Sequence, residues 1–280
     1  LYQRPDELHT SFNFDYLRAG FDAVKLKKSV DATLLNHKLV SAPATWVLSN
    51  HDLVRHATRF APGQNENPTV TPTPDNADRG LSRARAATLF TLGLPGSIYL
   101  YQGEELGLPE VLDLPGDARQ DPVWFRTQGK ELGRDGCRVP IPWSGDIPSY
   151  GFGPGENSWL PQPTEWEHLS VQAQESGDTT LNFYRDALAQ RRVEPATGDG
   201  ELEWRMDEFT IPNERILAYR RPHPTQPLTC IMNTEGGMWK VPQVFGTDVL
   251  AASGPEVAVV DSGDGEHLVI GPETCVWVRG

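Results

Sequence analysis

The spacing of apolar residues changes twice along the chain. Between Phe21 and Val40, the residues Phe21, Val24, Leu26, Val30, Leu34, Leu35 and Leu39 recur at helical intervals, which predicts an α-helix. Pro43 closes that stretch, and the short unbroken apolar run Ala44–Leu48 predicts a buried strand. Gly80–Leu92 returns to a helical pattern strengthened by Ala84, Ala86, Ala87, Leu89 and Leu92, and Gly93 with Pro95-Gly96 stops it. Ser97–Tyr101 predicts another strand, and upstream Leu8–Phe14 predicts a further one, with Asp15 at its end. Strand, helix, strand, helix and strand in this order predict parallel strands joined by helical crossovers, an α/β arrangement.

The period is lost between Gln102 and Asp178, which is rich in Gly, Pro and Trp. Loops longer than about 15 residues without structure of their own are uncommon in compact domains and usually functional. Thr179–Arg192 predicts a last helix, with Leu181, Tyr184 and Leu188 on it. From Glu201 the pattern becomes that of short strands: Glu201–Trp204, Ile216–Tyr219, Leu228–Met232, Glu256–Val260 and Thr274–Val278. Turn residues such as Asp199-Gly200 and Gly236-Gly237 separate them, which predicts an all-β sandwich of about 80 residues. The expected division is therefore residues 1–195 and 196–280. Ala61–Asp75 carries Pro62, Pro68, Pro72 and Pro74 and is expected to be a loop.

Charge narrows the partners. The 280 residues hold 25 Lys and Arg against 38 Asp and Glu, a net charge of −13, and the densest basic cluster, Lys25, Lys27 and Lys28, reads as a solvated helix face. Such a surface repels nucleic acid and anionic membranes, so neither is an expected partner, and a neutral substrate such as a sugar fits better. Cys137, Cys230 and Cys275 are odd in number and widely spaced, with no paired spacing for a disulfide framework or a zinc site. No apolar run approaches the ~18 residues of a membrane span, and no signal peptide is visible, so a cytoplasmic location is expected.

The candidate chemistry begins where Ala44–Leu48 ends: Ser49-Asn50-His51-Asp52, followed by Arg55, His56 and Arg59. Alone, an Asn-His-Asp triplet is most often a loop or a helix N-cap. Two further stretches occur in order, Gly93–Gly107 (GLPGSIYLYQGEELG) and Gly133–Trp143 (GRDGCRVPIPW), and Phe12-Asn13-Phe14-Asp15 adds a weaker one. Together they resemble the α-amylase superfamily, glycoside hydrolase family 13, and within it the bacterial α-glucosidases. The resemblance implies the C-terminal part of a (β/α)8 barrel, its sixth to eighth strands, followed by a sandwich C domain. It implies that Asp52 is one of three catalytic carboxylates, and that His51 and Arg138 bind the substrate sugar. The motifs of the other two carboxylates, a nucleophile and an acid/base, are not found here, so the upstream half of the same enzyme is an expected partner.

The activity implied is that of a retaining, exo-acting α-glucosidase on maltose- or sucrose-type oligosaccharides, with this chain alone inactive. Two alternatives stand beside it: a transglucosylating sibling, and a non-catalytic homologue used as a binding subunit. No cofactor and no metal site are expected. Arg55 and Arg59 read as organisers of the site, and Glu104 and Glu105 as structural. Trp143, Trp159 and Trp166 could stack on sugar or pin the long loop, and Cys137 could be a reactive thiol or a small buried residue.

Overall fold

The computed structural model describes residues 6–8, 10–209, 215–263 and 265–279. In chain order the helices are α1 (Phe14–Leu17), α2 (Ala23–Val40), α3 (His56–Arg59), α4 (Pro74–Gly93), α5 (Pro122–Arg126) and α6 (Thr180–Val193). The strands are β1 (Thr45–Val47), β2 (Ser97–Tyr99), β3 (Glu203–Trp204), β4 (Ile216–Arg221), β5 (Leu228–Asn233), β6 (Trp239–Lys240), β7 (Asp248–Ala252), β8 (Val257–Asp261), β9 (Glu266–Ile270) and β10 (Cys275–Arg279). The chain forms two compact units: Leu1–Leu48 with Ser82–Tyr99 and Asp186–Gly280, and Ser49–Leu81 with Leu100–Arg185. No helix among the described residues is long and apolar enough to cross a membrane.

In the first unit β1 and β2 pair in parallel, Trp46 opposite Ile98, as the crossover pattern requires. Trp46 is fully buried, packs edge-on against Tyr16 and donates its indole N–H to Pro95 O at 2.7 Å. Gly96 makes this close approach possible: its φ is +105°, and a Cβ there would lie 2.2 Å from Ala44 O. α2 begins at Asp22, whose carboxylate accepts the Lys25 N–H at 2.9 Å. It buries Ala23, Leu26 and Val30, whereas Val24, Leu35 and Leu39 are exposed. At about 100° per residue, Val24 and Leu26 lie roughly 200° apart, so both could not face one core.

The strand expected over Leu8–Phe14 is not formed. His9 lies outside the described residues. Residues 10–13 are irregular, and α1 starts at Phe14 with Asn13 Oδ1 accepting the Tyr16 N–H at 3.0 Å. Asp15 thus sits in the first turn of a helix instead of at a strand end. The segment meets β2 through side chains: Phe12 stacks on Tyr99 at 5.1 Å, and Thr10 Oγ1 lies 3.3 Å from Tyr99 Oη. A strand exists through its ladder, and these contacts supply none.

The same unit holds two antiparallel sheets, ordered β3-β4-β5-β10-β7 and β6-β9-β8. Ile216, Ala218, Ile231, Val276 and Val278 from the larger sheet share a core with Val241, Phe245, Leu268 and Ile270. All five predicted strands occur, with shifted ends. The structure adds β6, β7 and β9, which the sequence reading did not find. The larger sheet also donates to the end of α4, where a helix leaves its last carbonyls without intrahelical partners. Tyr219 Oη donates to Phe90 O at 2.6 Å, Trp277 Nε1 to Leu89 O at 3.1 Å, and Arg221 Nη1 to Gly93 O at 2.8 Å. Arg191 on α6 reaches Leu92 O and Gly96 O as well.

The second unit carries the aperiodic stretch. It is ordered by its own core of Leu106, Leu108, Val139, Ile141, Leu160 and Trp166. Arg119 is buried and donates to the carbonyls of Leu112, Leu114 and Leu132, so one side chain replaces the ladder that a loop lacks. Of the three tryptophans, Trp166 is fully buried and pins the loop, while Trp143 and Trp159 are each 50% exposed.

Removing the phenol oxygen of Tyr219 leaves Phe90 O without that donor in a buried place. We expect Tyr219→Phe to lose about 1–2 kcal/mol in urea unfolding. A loss below about 0.3 kcal/mol would show that the clasp on α4 contributes little.

Candidate functional site

The site grows out of a tight polar turn. Ser49 Oγ accepts the backbone N–H of His56 at 3.1 Å and lies 2.7 Å from its Nδ1, which closes residues 49–56 on themselves. Asn50 is buried, and its Oδ1 accepts the Asp52 N–H at 2.9 Å. The turn therefore holds His51 and Asp52 outward, their side chains 61% and 41% exposed. Against it lies the 3-10 turn Asp135–Arg138 from the long loop. Arg138 Nε donates to His51 O at 2.9 Å, and its Nη2 to Asp52 Oδ1 at 3.3 Å. The three residues singled out from the sequence, His51, Asp52 and Arg138, are thus brought together.

Arg134 joins them and was not anticipated. Its Nη1 donates to Asp52 Oδ1 at 2.9 Å and its Nε to Asp121 Oδ2 at 2.5 Å. It stands four residues before Arg138 in the segment already recognised, so the signal was available. Asp52 feels some desolvation, which raises its pKa. The Arg134 hydrogen bond and the charges of His51, Arg134 and Arg138 outweigh it and hold the carboxyl below its ordinary value. Asp52 is thus a carboxylate at neutral pH. The two arginine bonds and the 3.6 Å approach of His51 Nε2 all fall on Oδ1.

Beneath this surface lies Arg55, only 2% exposed. Its Nη1 donates to Gln102 O at 2.7 Å and its Nη2 to Cys137 O at 3.0 Å, and the guanidinium lies over the Tyr101 ring. Tyr101 Oη donates to the same Cys137 O at 2.9 Å. Arg55 does organise the two turns, as its place in the sequence suggested. Its own backbone N–H goes to Glu110 Oε2 at 2.9 Å. Glu110, invisible in the sequence, lines a cavity of about 370 Å³ together with Asp52, Arg134, Arg119, Asn67 and Lys130.

Two buried titratable groups here, His56 and Glu104, are pushed toward their neutral forms. Burial, helped by Arg59 and Arg55, pushes His56 down to about 3. Burial and the neighbouring Glu105 push Glu104 well up. Their 3.7 Å approach is therefore not an ion pair. Glu105 accepts the Gly103 N–H at 2.7 Å and so holds its turn, whereas neither carboxyl oxygen of Glu104 receives a hydrogen bond from the described residues. Burial and the Glu110 charge push Cys137 up to about 12, which makes it an inert small residue and not a nucleophile.

Two outcomes follow. Arg134→Gln removes the strongest hold on Asp52, so its carboxyl should titrate higher than in the wild type by carbon-detected NMR; an unmoved titration would assign the depression elsewhere. For His56 the folded pKa is depressed. Its contribution is full above about 6.5 and is lost as pH falls from there toward about 3, by an amount on the order of 5 kcal/mol. Glu110, raised to about 7, runs the opposite way, losing stability as pH rises from about 4.5 to 7. His56→Gln should then lose less stability than the wild type between pH 7 and pH 4, and equal losses in urea melts would mean that His56 is not held neutral.

The chain has counterparts among known proteins. The model of the α-amylase catalytic domain matches residues 3–200. A probable α-glucosidase of Rhizobium meliloti (strain 1021) is 31% identical over 233 residues, covering 81% of this chain and 38% of that protein. The α-glucosidase MAL32 of Saccharomyces cerevisiae is 30% identical over 209 residues, covering 66% and 34%. Among solved structures, the α-glucosyl transfer enzyme XgtA is 28% identical with a TM-score of 0.74, covering 100% of this chain and 48% of that one. The isomaltulose synthase of Klebsiella sp. LX3 is 17% identical with a TM-score of 0.75 and shares the fold over 98% of this chain and 51% of its own. The chain thus spans little more than a third of these curated relatives and about half of these structures.

Proposed function

The chain belongs to the α-amylase catalytic-domain family, and we propose that it is the C-terminal part of a retaining, exo-acting α-glucosidase. Its strands β1 and β2 and their helices would complete a (β/α)8 barrel begun upstream, and the two antiparallel sheets would form the C domain. The observation that carries the reading is Asp52, ionised and half-exposed, within reach of His51, Arg134 and Arg138. Retaining cleavage of a glycoside needs a nucleophilic carboxylate and a carboxylic acid about 5–5.5 Å apart, and both would come from the upstream part.

Asp52 has a different task in this scheme. It would accept hydrogen bonds from the 2- and 3-hydroxyls of the bound glucose. As positive charge develops on the ring, those hydroxyls become better donors, so the bonds strengthen in the transition state more than in the ground state. Oδ2, which accepts neither arginine hydrogen bond, would receive the first of them. Arg138 would clamp the same glucose with its planar fork of donors. The relatives named α-glucosidase favour water as acceptor, while the likeness to an α-glucosyl transfer enzyme over the whole chain supports transfer to another hydroxyl as a second reading. The presence of His51, Asp52 and Arg138 weighs against a non-catalytic binding subunit.

The full-length polypeptide should release the aglycone from an aryl α-glucoside, and the 280 residues alone should not. Turnover by the short chain at a comparable rate would place the missing carboxylates within it and overturn the scheme. In the full-length protein Asp52→Asn should lower kcat/KM by roughly 10²–10³; a fall under about threefold would remove Asp52 from the reaction.

A further inference from the structure

Glu110 occupies a place that the proposed chemistry does not yet use. Its backbone N–H donates to Thr58 Oγ1 at 2.8 Å, and its Oε2 accepts the Arg55 N–H at 2.9 Å, so the residue is anchored at both ends to the segment that follows Asp52. Its other oxygen faces the second turn. A Cβ on Gly136 would lie 2.4 Å from Glu110 Oε1 and 2.5 Å from Val111 O, so the carboxyl and the backbone of the 134–138 turn are packed to contact. The side chain is buried, yet it lines the cavity that Asp52 and Arg134 also line.

We propose that Glu110 is a positioning residue: its carboxyl is a spacer that fixes the turn bearing Asp52 against the turn bearing Arg138, so that both address one sugar. The inference rests on the assignment of Asp52 and Arg138 to a glucose site made above. Two turns more than 80 residues apart in sequence meet here without a shared ladder. Arg55, on the first turn, donates to the Cys137 carbonyl of the second, which pulls them together. Glu110 sets how close they come, because it fills the space under Gly136. A shift of about 1 Å at such a point can cost on the order of 100-fold in rate.

The spacer is also titratable in the working range. Burial pushes the Glu110 carboxyl up to about 7, against the pull of the Arg55 amide and of the Arg55, Arg59 and Arg119 charges. Other ionisable groups near it are Asp52 and Arg134 on the shared cavity, Cys137 on the facing turn, Asp135 and Asp113, which act on Arg119, and Glu66 and Glu104, which act on Arg59. Cys137 is pushed up to about 12 and stays neutral, whereas the charge of the Glu110 carboxyl changes near neutrality.

The test uses the full-length polypeptide and an aryl α-glucoside. Glu110→Ala should lower kcat/KM at least about tenfold. Glu110→Gln keeps an acceptor for the Arg55 amide and the filled space. It should recover most of that loss while flattening the limb of the pH profile near 7. A Glu110→Ala enzyme within twofold of the wild type, or a Glu110→Gln enzyme with the wild-type profile, overturns the proposal. If Glu110→Ala does not fold, the Glu110→Gln profile decides alone. If the wild type cleaves no α-glucoside, the glucosidase reading fails, and the spacer is judged by alkylation of Cys137 with iodoacetamide, located by peptide mass. Faster labelling of Cys137 in folded Glu110→Ala than in Glu110→Gln, with Cys230 and Cys275 still protected, upholds the spacer; equal rates in the two variants refute it.

Discussion

A buried arginine that binds carbonyls organises the second unit. Arg55 is enclosed, and its guanidinium donates to the backbone at residues 102 and 137 instead of to a carboxylate. Backbone carbonyls in loops must find donors somewhere when water is excluded. One planar fork supplies two of them at once and thereby fixes two loops in register. Tyr101 adds a third donor at the same point and a ring for the cation to lie on. Everything exposed at the site, His51, Asp52, Arg134 and Arg138, stands on backbone that this arrangement immobilises.

The first unit solves the matching problem at a helix end. The last carbonyls of α4 receive the Tyr219, Trp277, Arg221 and Arg191 donors, three of which come from strands of the larger sheet and one from α6. The sheet that carries them is antiparallel and comes from one contiguous stretch of chain, whose last strand, β10, inserts between β5 and β7. In both units, long polar side chains complete backbone that regular structure leaves open.

Some of this was legible in the residues and some was not. Ala44–Leu48 and Ser97–Tyr101 were read as strands because each is an apolar run bounded by breakers, and β1 and β2 do pair there. Leu8–Phe14 offered only Leu8, Phe12 and Phe14 among polar residues, and a strand is a property of a pair, whose partner is not specified by the segment itself. β6 has two residues, too few to show a period at all. His51, Asp52 and Arg138 were legible through resemblance, and Arg134 could have been by the same route. Glu110 could not, because nothing in Leu108-Pro109-Glu110 announces that the chain will return at Gly136. A role made by close approach of distant backbone leaves no local pattern.

The exposure of the Asp52 cluster distinguishes it from the brace below. Its pairs with Arg134 and Arg138 join side chains that are 25–41% exposed, and contacts of this kind are weakened by dissolved salt within a screening length of about 8 Å at physiological ionic strength. The Arg55 contacts are shut away from ions. In the resting protein, then, the arginines act as Asp52's own counter-ions in competition with those of the medium. The ligand-facing layer can relax with ionic strength while the layer that holds the backbone does not.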